Sequence, residues 1–264
     1  MSAGSDCFIQ LMGGLGNQMF QVAAVYAHSK RNRYTPKVSA DTHGGRPTYW
    51  DRSLYRARRL IAPPDSPQSL WREPHFHYHP IPAAARNLFG YYQTSKYFSD
   101  YRAEIRDLFA APPSIVSAVN AKYGDIVTPH SVAVHVRRGD YLTGHRTSIH
   151  YVTTDLYFER AVAEARVRDP AATFVVFSED VEWCRAQPFF AGATIIDEPD
   201  ECLTMELMSR FRRYIISNSS FSWWATYLGA STEMVLAPDR WFGPAGPQDW
   251  EDIYEPTWTK IKTT

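Results

Sequence analysis

Cysteine is nearly missing from this chain: Cys7, Cys184 and Cys202 are three in 264 residues, far apart and without a CxxC pair. That usage supports neither a disulfide framework nor a cysteine zinc site, and it fits a reducing compartment. Long apolar runs are lacking too. No stretch approaches the roughly 18 residues that span a bilayer, and Met1 to Asp6 has no charge-then-apolar layout of a signal peptide. A soluble, cytoplasmic protein without membrane insertion is expected. Net charge is absent, with Lys+Arg 28 against Asp+Glu 28, which argues against a chain that coats nucleic acid or lies on an acidic membrane. Any anionic partner must be met locally. Lysine is scarce, 6 against 22 arginines. Arginine grips phosphate or carboxylate through a planar fork, although coding bias gives the same excess.

What is present is 44% hydrophobic and 14% aromatic residues, enough for a substantial core in two half-sized domains or one large one. Phe8 to Leu11 reads as a short buried strand, Gly13-Gly14-Leu15-Gly16 as a tight turn and Gln18 to Ser29 as a helix. From Arg31 to about Pro82, Pro36, Pro47, Pro63, Pro64, Pro67, Pro74 and Pro80 interrupt every candidate element, which predicts loops and short pieces. Helices are expected over 97–109 and 114–122, with Pro112-Pro113 between them. A boundary follows near 124–130, giving domains 1–128 and 129–264. The second half alternates strand and helix five times, with strands at 131–136, 173–177, 193–196, 214–217 and 234–237. Such alternation predicts an α/β fold with a parallel sheet, whose ligands lie beyond the carboxyl ends of the strands.

The residues just after those strands are therefore the candidates. Gly14 and Gly16 lead to Asn17 and Gln18 but to no third glycine and no Gly-Lys-Ser/Thr ending, so neither a dinucleotide fingerprint nor a P-loop is present. The turn either reverses the chain or exposes helix N-terminal amides to an anion. Arg137 and Arg138 leave the end of a core strand with only Asp140 supplied nearby. One structural ion pair is a fair reading, but the charge left over suggests a phosphate. Asn218-Ser219-Ser220 precedes the helix starting at Phe221 and offers either a plain N-cap or a cradle for the same ligand. Ser178-Glu179-Asp180 reads as a catalytic pair, a metal clamp or an ordinary acidic helix start.

His75, His77 and His79 share a face if extended, but no carboxylate accompanies them and prolines surround them, which argues against metal. Trp223, Trp224 and the Phe89 to Tyr92 cluster suit the core better than a sugar-stacking surface. Tyr91, Tyr92 and Tyr97 remain candidate acceptor contacts.

Five ordered motifs carry a resemblance. They are Gly13 to Gln21, Gly90-Tyr91-Tyr92-Gln93-Thr94-Ser95-Lys96-Tyr97-Phe98, His135-Val136-Arg137-Arg138-Gly139-Asp140-Tyr141, Phe177 to Asp180 and Asn218 to Trp224. Together they resemble the α-1,2-fucosyltransferases of glycosyltransferase family 11, across residues 8 to about 242. The HxRRxD element by itself is shared with α-1,6- and protein O-fucosyltransferases. The resemblance implies two Rossmann-like halves in a GT-B-like architecture, an acceptor-side N-terminal domain and a GDP-fucose-binding C-terminal one. It further implies inverting transfer of L-fucose from GDP-β-L-fucose to the 2-hydroxyl of a galactose-containing glycan, with no metal and no cofactor. Alternatives are another HxRRxD-type fucosyltransferase or a non-catalytic glycan-binding module.

Carried over by position, Arg137 resembles the arginine on the β-phosphate, supported by Arg138 and His135. Ser219 and Ser220, with Asn218 and Phe221, resemble the phosphate-binding turn. Gly14, Gly16, Asn17 and Gln18 resemble a loop facing the donor from the other half, and Ser178 and Asp180 complete the donor set. Tyr91 and Tyr92 stand on the acceptor side, and Asp140 and Glu179 are the candidate bases. Two departures matter: the family's Ser-Asp-Asp is Ser178-Glu179-Asp180 here, and an acid often found before its Leu-Met-Ser segment is Thr204. Thr204 cannot read a guanine edge as an ionised acceptor.

Overall fold

The alternating pattern is realised as two parallel sheets in the computed structural model, which describes residues 6–64, 70–142 and 146–264; the side chains of Asp140, Arg146 and Thr147 lie outside that description. The α/β class with two Rossmann-like halves is borne out. The chain divides into two compact units, Met1–Pro112 with Asp249–Glu255, and Pro113–Gln248 with Pro256–Thr264.

In the first unit, β1 (Asp6–Met12) leads through Gly13 to α1 (Leu15–Asn32). Met19, Phe20, Val22 and Ala23 give α1 a fully buried face. The helix stops at Arg33, in the left-handed region at φ 60°, whose N–H caps Ser29 O. β2 (Thr35–His43), β3 (Leu70–Arg72) and β4 (Asn87–Phe89) complete a sheet of order β2-β1-β4-β3. Two of these strands fall in the proline-rich stretch expected to be loops. Pro36 is tolerated because β2 is an edge strand, where a missing N–H need cost no ladder bond.

The single helix expected over 97–109 is broken into two 3-10 turns and α2 (Arg102–Leu108). The break is at Phe98, which leaves helical geometry and buries its ring fully, 6.1 Å from Phe20. Residues 249–255 return to this unit because Asp252 accepts the Tyr78 N–H at 2.8 Å and pairs with Lys96.

The second unit begins with α3 (Pro113–Tyr123), so the division lies at 112/113 instead of 128/129. The helix is claimed by its partners there: Arg210 donates to Asn120 Oδ1 at 2.6 Å, and Lys122 and Tyr123 both reach Glu198, at 2.8 and 2.9 Å. Then follow β5 (Ser131–Val136), α4 (Arg146–Ile149), α5 (Asp155–Arg168), β6 (Thr173–Ser178), α6 (Val181–Ala186), β7 (Thr194–Ile196), α7 (Glu201–Ser209), β8 (Arg213–Ile215), α8 (Ser220–Leu228), β9 (Met234–Pro238) and β10 (Thr259–Ile261). The sheet order is β10-β9-β8-β5-β6-β7, all parallel.

Alternation along β5 sends Val132, Val134 and Val136 into a core with Tyr157, Phe158 and Ala161 of α5. Ala133 and His135 face the other way, and the His135 ring lies 5.5 Å from Phe221 on α8. Trp223 and Trp224 are fully buried, with ring centroids 5.1 Å apart. At ~150–250 Å² each and about 25 cal/mol/Å², each ring contributes roughly 4–6 kcal/mol of gross burial. They are core side chains, as expected, and offer no face to a sugar.

Candidate active site

In the second unit β5 lies between β8 and β6, so the segments after all three strands emerge side by side. Ser217 fastens two of them: its hydroxyl donates to His135 O at 2.8 Å and accepts the Arg137 N–H at 3.0 Å. This fully buried serine escaped the sequence reading, although a hydroxyl closing the apolar run Tyr214-Ile215-Ile216 was the available signal. Tyr141 stands under Arg137, ring centroid 5.4 Å from the guanidinium, and its hydroxyl donates to Asn218 O at 3.2 Å. The geometry thus brings His135, Arg137, Arg138, Ser178, Glu179, Asp180 and Asn218 to Phe221 to one edge of one sheet.

The charge balance there differs from the sequence expectation. Arg137 and Arg138 are not left with Asp140 as their sole acid, because β6 is the neighbouring strand and carries two more. Arg137 Nη1 lies 3.5 Å from Glu179, and Arg138 Nε donates to Asp180 at 3.1 Å. The Arg138 N–H also donates to Glu179 Oε1 at 3.0 Å, and its guanidinium stacks 4.2 Å above Trp183. Asp180 in turn caps α6 by accepting the Trp183 N–H. Arg138 is therefore held structurally. Arg137 is a third exposed and lies at the longer ionic distance. Asp140 sits in the 3-10 turn Gly139–Leu142, and its side chain is outside the described residues. Gly139 is fixed by Glu179, whose Oε1 would lie 2.6 Å from any Cβ added there.

The turn before α8 does more structural work than a phosphate cradle requires. Ser219 is the N-cap, accepting the Phe221 N–H at 3.3 Å. Asn218 donates to Tyr151 O and Trp241 O at 2.7 and 2.6 Å, so its amide nitrogen is committed to the fold, while its buried Oδ1 has no partner among the described residues. The Ser220 hydroxyl makes no hydrogen bond among the described residues. His135 is buried, and burial with the nearby Arg137 charge pushes its imidazole down to about 3, so the ring is neutral. Its Nδ1 has no partner among the described residues. Thr204 lies in α7 with its hydroxyl 3.5 Å from Glu198 O.

In the first unit the candidates bond to the loops around them. Gly13 takes φ 78°, and a Cβ there would stand 2.4 Å from the Asn17 amide. Gly14 is the extended N-cap of α1 with no side-chain cap, and Gly16 is buried in the first turn. Asn17 accepts from Gln93 at 2.7 Å. Gln18 is fully buried and spends its amide hydrogens on Gly13 O and Pro47 O, at 2.9 and 2.8 Å. It holds the loop, and its N–H groups are not available to a donor.

Tyr91 is 40% exposed while Tyr92 is 0% and Tyr97 is 2% exposed. Tyr92 and Tyr97 thus leave the acceptor set, because their rings fill the core 5.1 Å apart. Tyr92 takes φ 55°, a left-handed geometry that costs about 1–3 kcal/mol for a residue with a side chain. Glu73, unremarked in the sequence, accepts the Tyr91 N–H at 2.8 Å and the Tyr92 N–H at 3.0 Å. Burial pushes its carboxyl up to about 7 against the pull of those N–H groups.

The histidine segment also differs from expectation: a carboxylate does accompany it, since Asp249 meets His77 Nδ1 at 2.6 Å. The sequence separation hid it. No group of three or more His, Cys, Asp or Glu side chains able to hold a metal occurs among the described residues. All three cysteines are free and buried. No described helix is long and apolar enough to cross a membrane.

With this geometry in hand, the comparisons with known proteins decide the family. The sequence profile of glycosyl transferase family 11 matches residues 66–262. The chain belongs to glycosyl transferase family 11. Family 11 membership bears out the resemblance carried by the five motifs, and the chain is a glycosyltransferase. It is similar to an Escherichia coli α-1,2-colitosyltransferase, 28% identical over 88% of this chain and 91% of that one. It is also similar to mouse galactoside 2-α-L-fucosyltransferase Sec1, 26% identical over 87% of this chain and 66% of that longer protein. Among solved structures it resembles POFUT1 in complex with GDP (TM-score 0.54, 13% identity, 89% of this chain and 98% of that one). NodZ α-1,6-fucosyltransferase soaked with GDP-fucose is similar as well (TM-score 0.52, 12% identity, 92% and 97%). These two likenesses share a fold, the two-domain GT-B type.

Proposed function

We propose that the chain transfers L-fucose from GDP-β-L-fucose to the 2-hydroxyl of a galactoside, with inversion at the sugar carbon and without a metal ion. The observation that carries the reading is that Arg137 and the turn into α8 leave neighbouring strand ends, tied together through Ser217. Cleavage of the bond between fucose C1 and phosphate oxygen builds negative charge on the departing diphosphate and positive charge on the sugar. The Arg137 fork, the Ser220 hydroxyl and the positive end of α8 are the donors that stabilise this leaving group. A diphosphate carries more charge than Glu179 and takes Arg137 from it on binding. The released Glu179 carboxylate, or Asp140, then accepts the proton of the attacking hydroxyl. In this reading the second unit binds the donor and the first, through Tyr91, a galactose-containing glycan. Three free, buried thiols suit a reducing compartment and support a cytoplasmic setting for the reaction.

The test incubates the chain with a panel of GDP-sugars and galactosides in EDTA. The expected outcome is acceptor-dependent GDP release from GDP-fucose and an α-1,2-linked product. Loss of activity in EDTA would remove the metal-free claim. A product linked elsewhere would favour another HxRRxD-type fucosyltransferase, and no release with any pair would favour a non-catalytic glycan-binding module. The similarity to a colitosyltransferase supports a second reading, in which the donor sugar is the 3-deoxy counterpart of fucose. A higher kcat/KM with GDP-colitose than with GDP-fucose would select it.

A further inference from the structure

We propose that Glu73 is a positioning residue: its carboxylate, gripping two consecutive backbone N–H groups, sets the Gly90 to Gln93 turn that presents Tyr91 to the acceptor. This rests on the acceptor role given to Tyr91 above. Glu73 follows β3 directly, and its own N–H donates to Phe89 O at 2.9 Å, so the ladder with β4 fixes where its side chain starts. Oε2 then accepts from Tyr91 N at 2.8 Å and Tyr92 N at 3.0 Å, while Oε1 accepts from Tyr92 N at 3.2 Å and the Tyr97 hydroxyl at 3.3 Å. Successive N–H groups converging on one anion form a nest, a geometry that stabilises negative charge.

Other bonds on the turn, Gln21 Nε2 to Gly90 O at 3.1 Å and Thr94 N–H to Tyr92 O at 2.8 Å, leave the Tyr91 and Tyr92 N–H groups to Glu73. Tyr92 is in the left-handed region and its hydroxyl has no partner among the described residues, so neither backbone preference nor that hydroxyl favours the conformation. Gly90 adds a second requirement, because a Cβ there would lie 2.4 Å from Glu73 Cβ. The consequence is a forced alternation: Tyr92 goes down against Trp71 and Tyr97, and Tyr91 goes out. The same turn delivers Gln93 to Asn17 at 2.7 Å. One buried acid therefore sets both the exposed tyrosine and the residue leaning on the glycine turn.

The ionisable groups facing Glu73 are Asp249, itself paired with His77, and the phenols of Tyr92 and Tyr97; Arg72, on its own strand, lies over Phe89 instead. The carboxyl is held above its ordinary value. Its contribution to stability is thus present at acid pH and lost as pH rises from about 4.5 toward about 7. The grip on the N–H groups changes in the opposite sense, since the ionised form makes the stronger hydrogen bonds.

Glu73→Gln keeps the shape but loses the charge, and with its one carbonyl oxygen in the Oε2 place it turns an NH2 group toward the second Tyr92 contact and the Tyr97 hydroxyl. The experiment measures acceptor KM, donor KM and acceptor-free GDP release for the wild type and E73Q, alone and with Tyr91→Ala, together with amide exchange at Tyr91 and Tyr92. The expected result is an acceptor KM raised about tenfold, the size of one lost charge-assisted hydrogen bond. Donor KM and acceptor-free release should stay within about twofold, and E73Q should add nothing to Y91A. The two amides should exchange at least about tenfold faster. Wild-type acceptor KM should fall as pH rises through about 7, a step that E73Q lacks. Donor and acceptor KM moving together, or unchanged amide exchange, overturns the proposal. A wild-type chain that turns over no donor overturns the reaction reading instead, and amide exchange then decides the role of Glu73.

Discussion

The two sheets end in polar segments of similar length and opposite economy. In the first unit the strand-end groups are neutral amides turned inward: Gln18 on Gly13 and Pro47, Gln21 on Met12 and Gly90, Gln93 on Asn17. In the second they are ions: Arg137 against Glu179 and Arg138 against Asp180, each about a third exposed or less. A buried amide whose hydrogens are spent within the fold fixes a loop and has little left to donate to a ligand. An ion pair a third exposed and 3.5 Å apart gains little from its partner and can exchange it. Motif residues in the first unit thus shape a surface, and those in the second offer chemistry.

The sharpest way to break this comparison is at Arg137. Arg137→Lys keeps the charge and loses the fork, and its partial exposure leaves the core untouched. Turnover should fall about 10²–10³-fold, the usual cost of losing one transition-state donor. Thermal unfolding should shift little. Near-full kcat in the variant would remove Arg137 from the leaving-group site.

The contrast also explains what could be read beforehand. β5 and β6 were legible because their runs, Val132 to Val136 and Phe174 to Phe177, are buried throughout and apolar apart from His135. β2 was not, since Val38 and Thr42 are its only buried residues, and Pro36 masks an edge strand. The arginine pair was visible as residues, but its acids were not, because pairing Arg137 with Glu179 depends on β6 lying next to β5. Glu73 gave no signal: a single acid far from Gly90 in sequence becomes its neighbour only through the β3–β4 register. The same long-range closure hid Asp249 from His77. Local pattern yields elements and strand ends, whereas sheet order decides which strand ends share an edge.

A smaller effect should separate the units from the other side. Gln21→Leu strands the Met12 N–H and the Gly90 carbonyl in the buried interior. Each unsatisfied group costs about 1–3 kcal/mol, so stability should drop by roughly 2 kcal/mol or more while donor KM stays unchanged. Denaturant titration beside steady-state kinetics checks it. A donor effect without destabilisation would mean that the first unit's amides reach the nucleotide after all.

The smallest and most discriminating change is Glu179→Gln. As an ion-pair partner, Glu179 competes with the diphosphate for Arg137, and removing its charge should tighten donor binding. Both side chains are about a third exposed, so solvent screening holds the pair to ~0–1 kcal/mol, and donor KM should fall by no more than about fivefold. The neutral amide can still accept the Arg138 N–H, which keeps the turn in place. If Glu179 instead takes the proton from the attacking hydroxyl, kcat should fall by about 10²–10⁴-fold and lose its acid limb. The two roles leave opposite signatures, a lowered KM at constant kcat or a lost kcat. A single pH series on E179Q therefore assigns the carboxylate on which the second unit's ionic character turns.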